Sequence, residues 1–187
     1  TYSASISACG KGQESARALQ VLKAMRLQDL LPNMITYSAS ISACSKGSLL
    51  VQAAALLREM LQRGFVPDVI TYSTLISACE KGKDPKRALK VLKELLERGL
   101  VPNVITFNSL ISACEKGEKP DWALEVFEAM QQQRLIPDVI TYSALISACE
   151  KGREPERALA LLVQMQEQDV EPDVVSYNAA ISACEKG

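Results

Sequence analysis

The stretch ITYSTLISACEKG at residues 70–82 recurs almost letter for letter at residues 105–117 and 140–152. Diverged copies begin at Ile35 and Val175, and a truncated copy opens the chain. Successive copies are 35 residues apart. A period of this length indicates a stack of similar repeats, in which each repeat buries its apolar face against its neighbours.

The first half of one repeat, taken as residues 69–103, has the pattern of an amphipathic helix. Its apolar residues are spaced by three and four positions, so they lie on one face of a helix. These residues are Tyr72, Leu75, Ile76 and Cys79. Asp68 stands at the N-cap position, and Gly82 supplies a C-terminal stop. We predict a first helix between these two residues.

The second half of the repeat has its own start signal. Asp84 and Pro85 read as an N-cap followed by proline at the first helical position. A new apolar stripe follows at Ala88, Leu92 and Leu95. We predict that this second helix ends near Gly99 and Pro102.

Two antiparallel helices in each repeat, stacked in register, predict an all-α fold, a right-handed α-solenoid. The chain starts and stops part-way through a repeat, so we expect a piece of a longer array. The predicted bounds are 1–33 for a partial repeat, 34–68, 69–103, 104–138 and 139–173 for full repeats, and 174–187 for a last partial repeat.

The composition argues against several classes of protein. The six cysteines share one repeat position, which spaces neighbours roughly 10 Å apart, beyond the ~7 Å Cα limit for a disulfide. They are Cys9, Cys44, Cys79, Cys114, Cys149 and Cys184. The chain has no histidine, so neither a zinc site of the usual spacing nor a Ser-His-Asp triad is expected. No apolar stretch approaches the ~20 residues of a membrane span. We expect no metal, cofactor, catalysis or membrane insertion.

A second stripe runs along the opposite face of the first helix and is predicted to line a groove. Its start and its end hardly change between copies, which recent duplication would also explain. The start is Ile35, Ile70, Ile105, Ile140 and Val175, and the end is Lys11, Lys46, Lys81, Lys116, Lys151 and Lys186.

Two further positions vary, but only among short hydrogen-bonding side chains. The position within the first helix is held by Ser3, Ser38, Ser73, Asn108, Ser143 and Asn178. The position closing each repeat is held by Asn33, Asp68, Asn103, Asp138 and Asp173. Such restricted variation is what a recognition code would need. The alternative is that Asp and Asn only cap the following helix while serine allows close helix approach, and both roles can coexist.

These side chains have the chemistry to distinguish nucleobases. A carboxylate only accepts hydrogen bonds, so Asp favours guanine N1/N2 and uracil N3, whereas Asn both donates and accepts, which suits adenine. Serine leaves room for a purine, and the longer asparagine fills the space left by a pyrimidine. The aliphatic residues would sandwich bases and the lysines would meet phosphates.

The repeat resembles the pentatricopeptide repeat, a family of helical repeats. The resemblance rests on the 35-residue period, on openings such as VITYSTLI at 69–76 and VVSYNAAI at 174–181, on the A-L-x-x-L or A-L-x-x-F core of the second helix, and on the closing P-D or P-N. It covers the whole chain. It implies a reader of single-stranded RNA that recognises one base per repeat.

The resemblance also implies which base each repeat recognises, because the family pairs Ser and Asn with adenine, Ser and Asp with guanine, and Asn and Asp with uracil. The two variable positions then give the target 5′-AGAUG-3′, and Asn178 adds a pyrimidine preference. Localisation in a mitochondrion or plastid is implied by the resemblance alone, as is a role in RNA processing, stability, editing or translation.

The charge of the chain weighs against this hypothesis. The formal net charge is −1, whereas RNA-binding domains usually have a basic surface. A protein-binding α-solenoid scaffold is therefore the alternative function. Protein partners reached through flanking regions are also left open.

Overall fold

The computed structural model describes residues 2–12 and 14–187, and all the regular structure in them is α-helical. The prediction of an all-α fold is confirmed. Within these residues the eleven helices are Tyr2–Lys11 (α1), Ser15–Leu27 (α2), Met34–Lys46 (α3), Leu50–Gln62 (α4), Val69–Lys81 (α5), Pro85–Glu97 (α6), Val104–Lys116 (α7), Pro120–Gln132 (α8), Val139–Gly152 (α9), Pro155–Glu167 (α10) and Val174–Lys186 (α11).

The chain forms two compact units, and the division falls within α6. The first unit comprises the residues up to Gly82 together with Lys90–Val101. In it α1, α3 and α5 pack side by side, while α2 packs on α1 and α3, and α4 packs on α3 and α5. Helix α3 therefore contacts both the second helix of its own repeat, α4, and that of the repeat before it, α2.

The second unit comprises Lys83–Leu89 and Pro102–Gly187 and has the same internal arrangement. Here α7, α9 and α11 pack side by side, with α8 on α7 and α9, and α10 on α9 and α11. None of the helices in the described residues combines the length and the apolar character that crossing a membrane requires.

The helix signals of the type repeat are confirmed. Asp68 Oδ1 accepts a hydrogen bond from the Thr71 backbone N–H at 2.8 Å, as an N-cap does. Asp84 Oδ1 likewise accepts from the Arg87 N–H at 3.0 Å. The side chains predicted to be apolar contacts are all buried: Tyr72, Leu75, Ile76 and Cys79 in α5, and Ala88, Leu92 and Leu95 in α6.

Buried aromatic residues tie the two helices of a repeat together. The Tyr37 hydroxyl donates to Glu59 Oε1 at 2.8 Å, which joins α3 to α4. The Tyr72 hydroxyl donates to Glu94 Oε1 at 3.2 Å. A buried phenol needs such a partner because an unsatisfied hydroxyl in the core is costly. These bonds fix the rotation of the first helix, and with it the face that is turned away from the core.

Glycine ends the first helices for a reason that differs from the expected one. Helix α5 stops before Gly82 as predicted, but Gly82 has a φ of −78°, and Lys83 after it adopts the left-handed conformation at φ 52°. The glycine position is instead a point of close approach. A Cβ on Gly117, the equivalent residue, would lie 2.7 Å from the Pro85 ring. At Gly47, Gly117, Gly152 and Gly187, glycine lets the end of the first helix approach the preceding repeat closely.

We expect Gly117→Ala to lower the free energy of unfolding by about 1–3 kcal/mol, because the added methyl group overlaps a rigid ring. Gly12→Ala is the matched control, since Gly12 holds the same repeat position and its Cβ would meet nothing closer than 3.6 Å. Urea denaturation followed by circular dichroism measures both. Equal losses from the two variants would contradict the close-approach role.

The six cysteines are free thiols, four of them buried in the helix packing. Burial raises the pKa of Cys44 and Cys149 to about 11, and that of Cys114 to about 12. The described residues hold no cluster of three or more side chains that could ligate a metal. The buried thiols behave as small apolar core residues.

At pH 8 we expect iodoacetamide to alkylate the exposed Cys184 and to leave Cys44, Cys114 and Cys149 unmodified. The buried thiols have pKa values well above this pH, so they stay protonated and are poor nucleophiles. Mass spectrometry of the native and the urea-denatured protein measures the labelling. Fast labelling of Cys114 in the native protein would show that the core is not packed as described.

Candidate nucleic-acid interface

The residue that closes each repeat caps the first helix of the next repeat. In every case one side-chain oxygen, Oδ1, accepts the backbone N–H three residues later, at 2.8–3.0 Å. The capping residues are Asn33, Asp68, Asn103, Asp138 and Asp173. The capping role weighed for these residues is therefore confirmed. It leaves the second polar atom of each side chain outside the cap.

That second atom differs between Asn and Asp. Because Oδ1 is held by the helix, the outer atom is the donor Nδ2 in Asn33 and Asn103 and the acceptor Oδ2 in Asp68 and Asp173. These four residues are exposed, and Asp138 is half-buried. Hydrogen bonds from the backbone and side chain of Ser176 lower the pKa of the Asp173 carboxyl, so it remains an acceptor at neutral pH.

In the second unit the variable position inside the first helix lies next to the capping residue. Ser3 and Ser38 are half-buried, while Asn108 and Ser143 are 9% exposed. Ser143 Oγ lies 3.4 Å from Asp173 Oδ1, and Asn108 Nδ2 donates to both oxygens of Asp138 at 3.0 and 3.2 Å. In the second unit the structure thus brings together the two residues of each predicted pair.

Ser73, Asn103 and Asn178 complete the predicted base-reading residues. Ser73, in the first unit, donates through its hydroxyl to the Val69 carbonyl oxygen at 2.8 Å. Asn103, in the second unit, caps α7. Asn178 is exposed on α11. The pairing of Ser73 with Asn103 stays a prediction.

The predicted base-stacking residues form the exposed aliphatic start of each first helix. Their exposed fractions run from 56% for Val175 to 74% for Ile70. The set is Ile35, Ile70, Ile105, Ile140 and Val175. Large apolar side chains at one repeated surface position are available to contact a flat apolar ligand. Their role with bases stays a prediction.

The predicted phosphate-contacting lysines lie at the other end of the first helices, and several already have protein partners. Lys151 pairs with Glu115, and Lys186 pairs with Glu150 at 2.6 Å. Lys81 Nζ donates to the Ser45 carbonyl oxygen at 3.3 Å. Lys46 is exposed and Lys116 is half-buried. The side chain of Lys11 lies outside the described residues, so its predicted role is not addressed.

These ion pairs weaken the positive potential at the lysine end of the helices. The hydrogen bond from Lys186 lowers the pKa of the Glu150 carboxyl, so the glutamate is charged at neutral pH and opposes its lysine. A phosphate would have to displace or share these lysines. Lys151 and Lys186 are each held by a glutamate of the preceding repeat, a pairing that the sequence prediction did not include.

The sequence prediction missed a hydroxyl that contacts both variable positions. Three residues after each cap lies a buried threonine or serine, whose hydroxyl oxygen is 2.7–2.9 Å from Oδ1 of the capping side chain. These residues are Thr36, Thr71, Thr106, Thr141 and Ser176, and we call their hydroxyl groups the clamp hydroxyls. The available signal was their recurrence at a fixed place in every copy, within T-Y, T-F or S-Y.

Comparison with known proteins identifies the family. The profile described as pentatricopeptide repeat domain matches residues 1–47 and 55–117. The profile described as PPR repeat family matches 102–151 and 137–186, and that described as PPR repeat matches 35–65. The chain belongs to the pentatricopeptide repeat family, as its sequence predicted. No curated protein matches it in a search by sequence.

Solved structures of this family have the same fold. The pentatricopeptide repeat protein PPR10 from maize matches with 29% identity and a TM-score of 0.75 over 100% of this chain. PPR10 in complex with an 18-nt psaJ RNA element matches with 26% identity and a TM-score of 0.71 over 98% of this chain. The chain spans only 27% and 30% of those two proteins.

A third structure, the PPR domain of Arabidopsis thaliana protein-only RNase P 1 in complex with tRNA, matches with 15% identity and a TM-score of 0.80. The match covers 97% of this chain and 95% of that one. At this identity the similarity concerns the fold. It supports the predicted class of helical-repeat solenoid.

We expect Asp68→Ala to lower the free energy of unfolding by about 1 kcal/mol, because it removes an N-cap. Asp68→Asn should cost no more than about 0.5 kcal/mol, the part that a charge contributes at a helix N-terminus. Asn33 and Asn103 already cap helices through Oδ1. Thermal unfolding measures both variants. An equal loss in the two would show that the charge, and not Oδ1, holds the cap.

Proposed function

We propose that this chain binds single-stranded RNA in a sequence-specific manner, with one base per repeat and the target 5′-AGAUG-3′. The observation that carries the proposal is that the two polar atoms of each capping side chain have different roles. One atom is committed to the helix in every repeat, whereas the outer atom changes between donor and acceptor. A purely structural cap has no need for that exchange, because Asn and Asp cap almost equally well.

The similarity to PPR10, whose structure contains an 18-nt RNA element, supports the proposal. The identity of 26% extends over 98% of this chain. RNA binding is therefore the function that the relationship favours. Because the chain spans less than a third of that protein, the target and the affinity belong to the proposal.

The outer atoms account for the choice between the two purines. Ser38 with Asp68 offers acceptors to guanine, whose N1 and N2 both donate. Ser3 with Asn33 offers a donor to adenine N1 beside an acceptor for the adenine amino group. Ser143 with Asp173 repeats the guanine arrangement, and Ser73 with Asn103 is assigned to adenine by the same rule.

The pair of Asn108 and Asp138 is assigned to uracil. Asn108 Nδ2 is a donor and Asp138 Oδ2 an acceptor, and the two atoms lie 3.2 Å apart. This spacing suits the adjacent carbonyl oxygen and N3–H of a pyrimidine edge. The longer asparagine side chain also occupies space that a purine would need.

Stacking and phosphate contacts complete the proposed site. The exposed aliphatic residues sandwich successive bases, which contributes less than the ~1–3 kcal/mol per base measured on aromatic side chains. The lysines contact phosphates after leaving their glutamate partners. We therefore propose weak, salt-sensitive binding by these few repeats, which additional repeats would strengthen.

The proposed biological setting is organellar RNA metabolism, in a mitochondrion or plastid. Binding of a defined sequence would serve RNA processing, stability, editing or translation. The chain acts by binding and not by catalysis in this proposal. The repeats that would each bind one base end at residues 33, 68, 103, 138 and 173.

We expect fluorescence anisotropy to show tighter binding of an oligonucleotide containing AGAUG than of its scrambled or duplex form. Asp68→Asn should reverse the preference at the second base from G to A, because it exchanges the acceptor Oδ2 for a donor. The change in the G-to-A ratio should be about 3- to 10-fold, the value of one hydrogen bond.

Asp29→Asn is the matched control, since it removes the same charge from an exposed residue outside the predicted pairs. It should leave the base preference unchanged. Equal binding of all sequences, or no binding at low salt, would contradict the proposed function. That outcome would favour the alternative, a scaffold that binds protein partners.

A further inference from the structure

Where both residues of a predicted base-reading pair lie in the same unit, a clamp hydroxyl contacts both of them. Thr71 Oγ1 lies 3.2 Å from Ser38 Oγ and 2.7 Å from Asp68 Oδ1. The same arrangement recurs at Thr36 with Ser3 and Asn33, at Thr141 with Asn108 and Asp138, and at Ser176 with Ser143 and Asp173. The four residues Thr36, Thr71, Thr141 and Ser176 are no more than 2% exposed. No solvent molecule can readily replace these contacts.

The hydrogens of this cluster can be assigned from its chemistry. A carboxylate accepts only, so the bond of Thr71 to Asp68 uses the single hydrogen of the threonine hydroxyl. Ser38 must then donate its own hydrogen to Thr71 Oγ1. The serine hydroxyl is left with lone pairs alone for any ligand. The same reasoning applies to Ser3, whose partner Thr36 donates to the amide oxygen of Asn33.

Resting on the function proposed above, we infer that the clamp hydroxyl is a positioning residue that makes the reading serines Ser3, Ser38 and Ser143 obligate acceptors. The clamp belongs to the first helix of the following repeat, so three side chains from two consecutive repeats determine which base is preferred. The clamp side chain itself does not contact the base. It sets the direction of the hydrogen bond that the serine makes.

A fixed acceptor explains why Asn and Asp suffice to distinguish the purines. Guanine presents two adjacent N–H donors, which match the two acceptors Ser38 Oγ and Asp68 Oδ2. Adenine presents a donor beside an acceptor, which match Ser3 Oγ and Asn33 Nδ2. A freely rotating serine hydroxyl could donate to adenine N1 as well. Adenine would then be accepted in pairs with Asp as well as in pairs with Asn, and the preference between the two purines would be lost.

The repeat with asparagine uses the same hydroxyl differently. Thr141 Oγ1 lies 2.6 Å from Asn108 Oδ1 and 2.9 Å from Asp138 Oδ1. One hydrogen cannot serve both acceptors fully, and the shorter contact assigns it to Asn108. The amide is then fixed with its oxygen on Thr141 and its nitrogen on Asp138. A flipped amide would place its oxygen against a carboxylate, which is unfavourable.

The test is Thr71→Val, which keeps the shape of the side chain and removes the hydroxyl, with Thr71→Ser as the conservative variant. Anisotropy titrations compare RNAs that carry G or A at the second base. We expect the valine variant to lower the G-over-A ratio about 3- to 10-fold, the value of one hydrogen bond, by binding the A-containing RNA better relative to the G-containing RNA. The serine variant should retain the ratio, since Ser176 fills the same role naturally.

Thr36→Val is the matched control and should relax the first base while leaving the second unchanged. A merely structural threonine would lower the melting temperature and weaken all RNAs by one factor, without changing the ratio. An unchanged ratio in Thr71→Val, with G still preferred by the unsubstituted protein, would overturn the clamp alone. Absence of any preference in the unsubstituted protein would overturn the proposed function together with the clamp.

Discussion

The hydrogen bond from a helix N–H to Oδ1 of the preceding Asp or Asn constrains the rest of this structure. It satisfies a backbone donor that has no partner within the helix. It also fixes a short side chain at the junction of two repeats, with one polar atom directed inward and one directed outward. The clamp hydroxyl strengthens this arrangement, because it donates to the same Oδ1 while accepting from the neighbouring serine.

The packing keeps this junction identical from repeat to repeat within each unit. Tyr37 and Tyr72 hold the first helix against the second through their hydroxyl groups. Gly117 lets the end of α7 approach Pro85 at a distance that no side chain would allow. Among the described residues, no buried side-chain polar atom lacks a hydrogen-bond partner. Buried hydroxyls that are fully satisfied add specificity without the cost of unpaired polar groups.

The start and the end of each first helix present different kinds of side chain. The aliphatic residues at the start are exposed and make no demand on the fold, so their uniformity needs another explanation than packing. Two of the lysines at the end, Lys151 and Lys186, pair with glutamates of the preceding repeat. Such partly screened pairs contribute little to stability, and they keep the surface nearly neutral until a stronger anion competes for the lysine.

The sequence by itself determined the helices, their caps and the buried face, because periodicity and capping are local and the 35-residue repeat displays them several times over. It also identified the variable positions, since Asp68 and Asn33 differ where their surroundings do not. Only the tertiary structure decided what those residues touch. The contact of Thr71 with Ser38, the pairing of Lys151 with Glu115 and the close approach behind Gly117 each join residues about one repeat apart. Helix–helix packing sets those distances, and no spacing within a single helix encodes them.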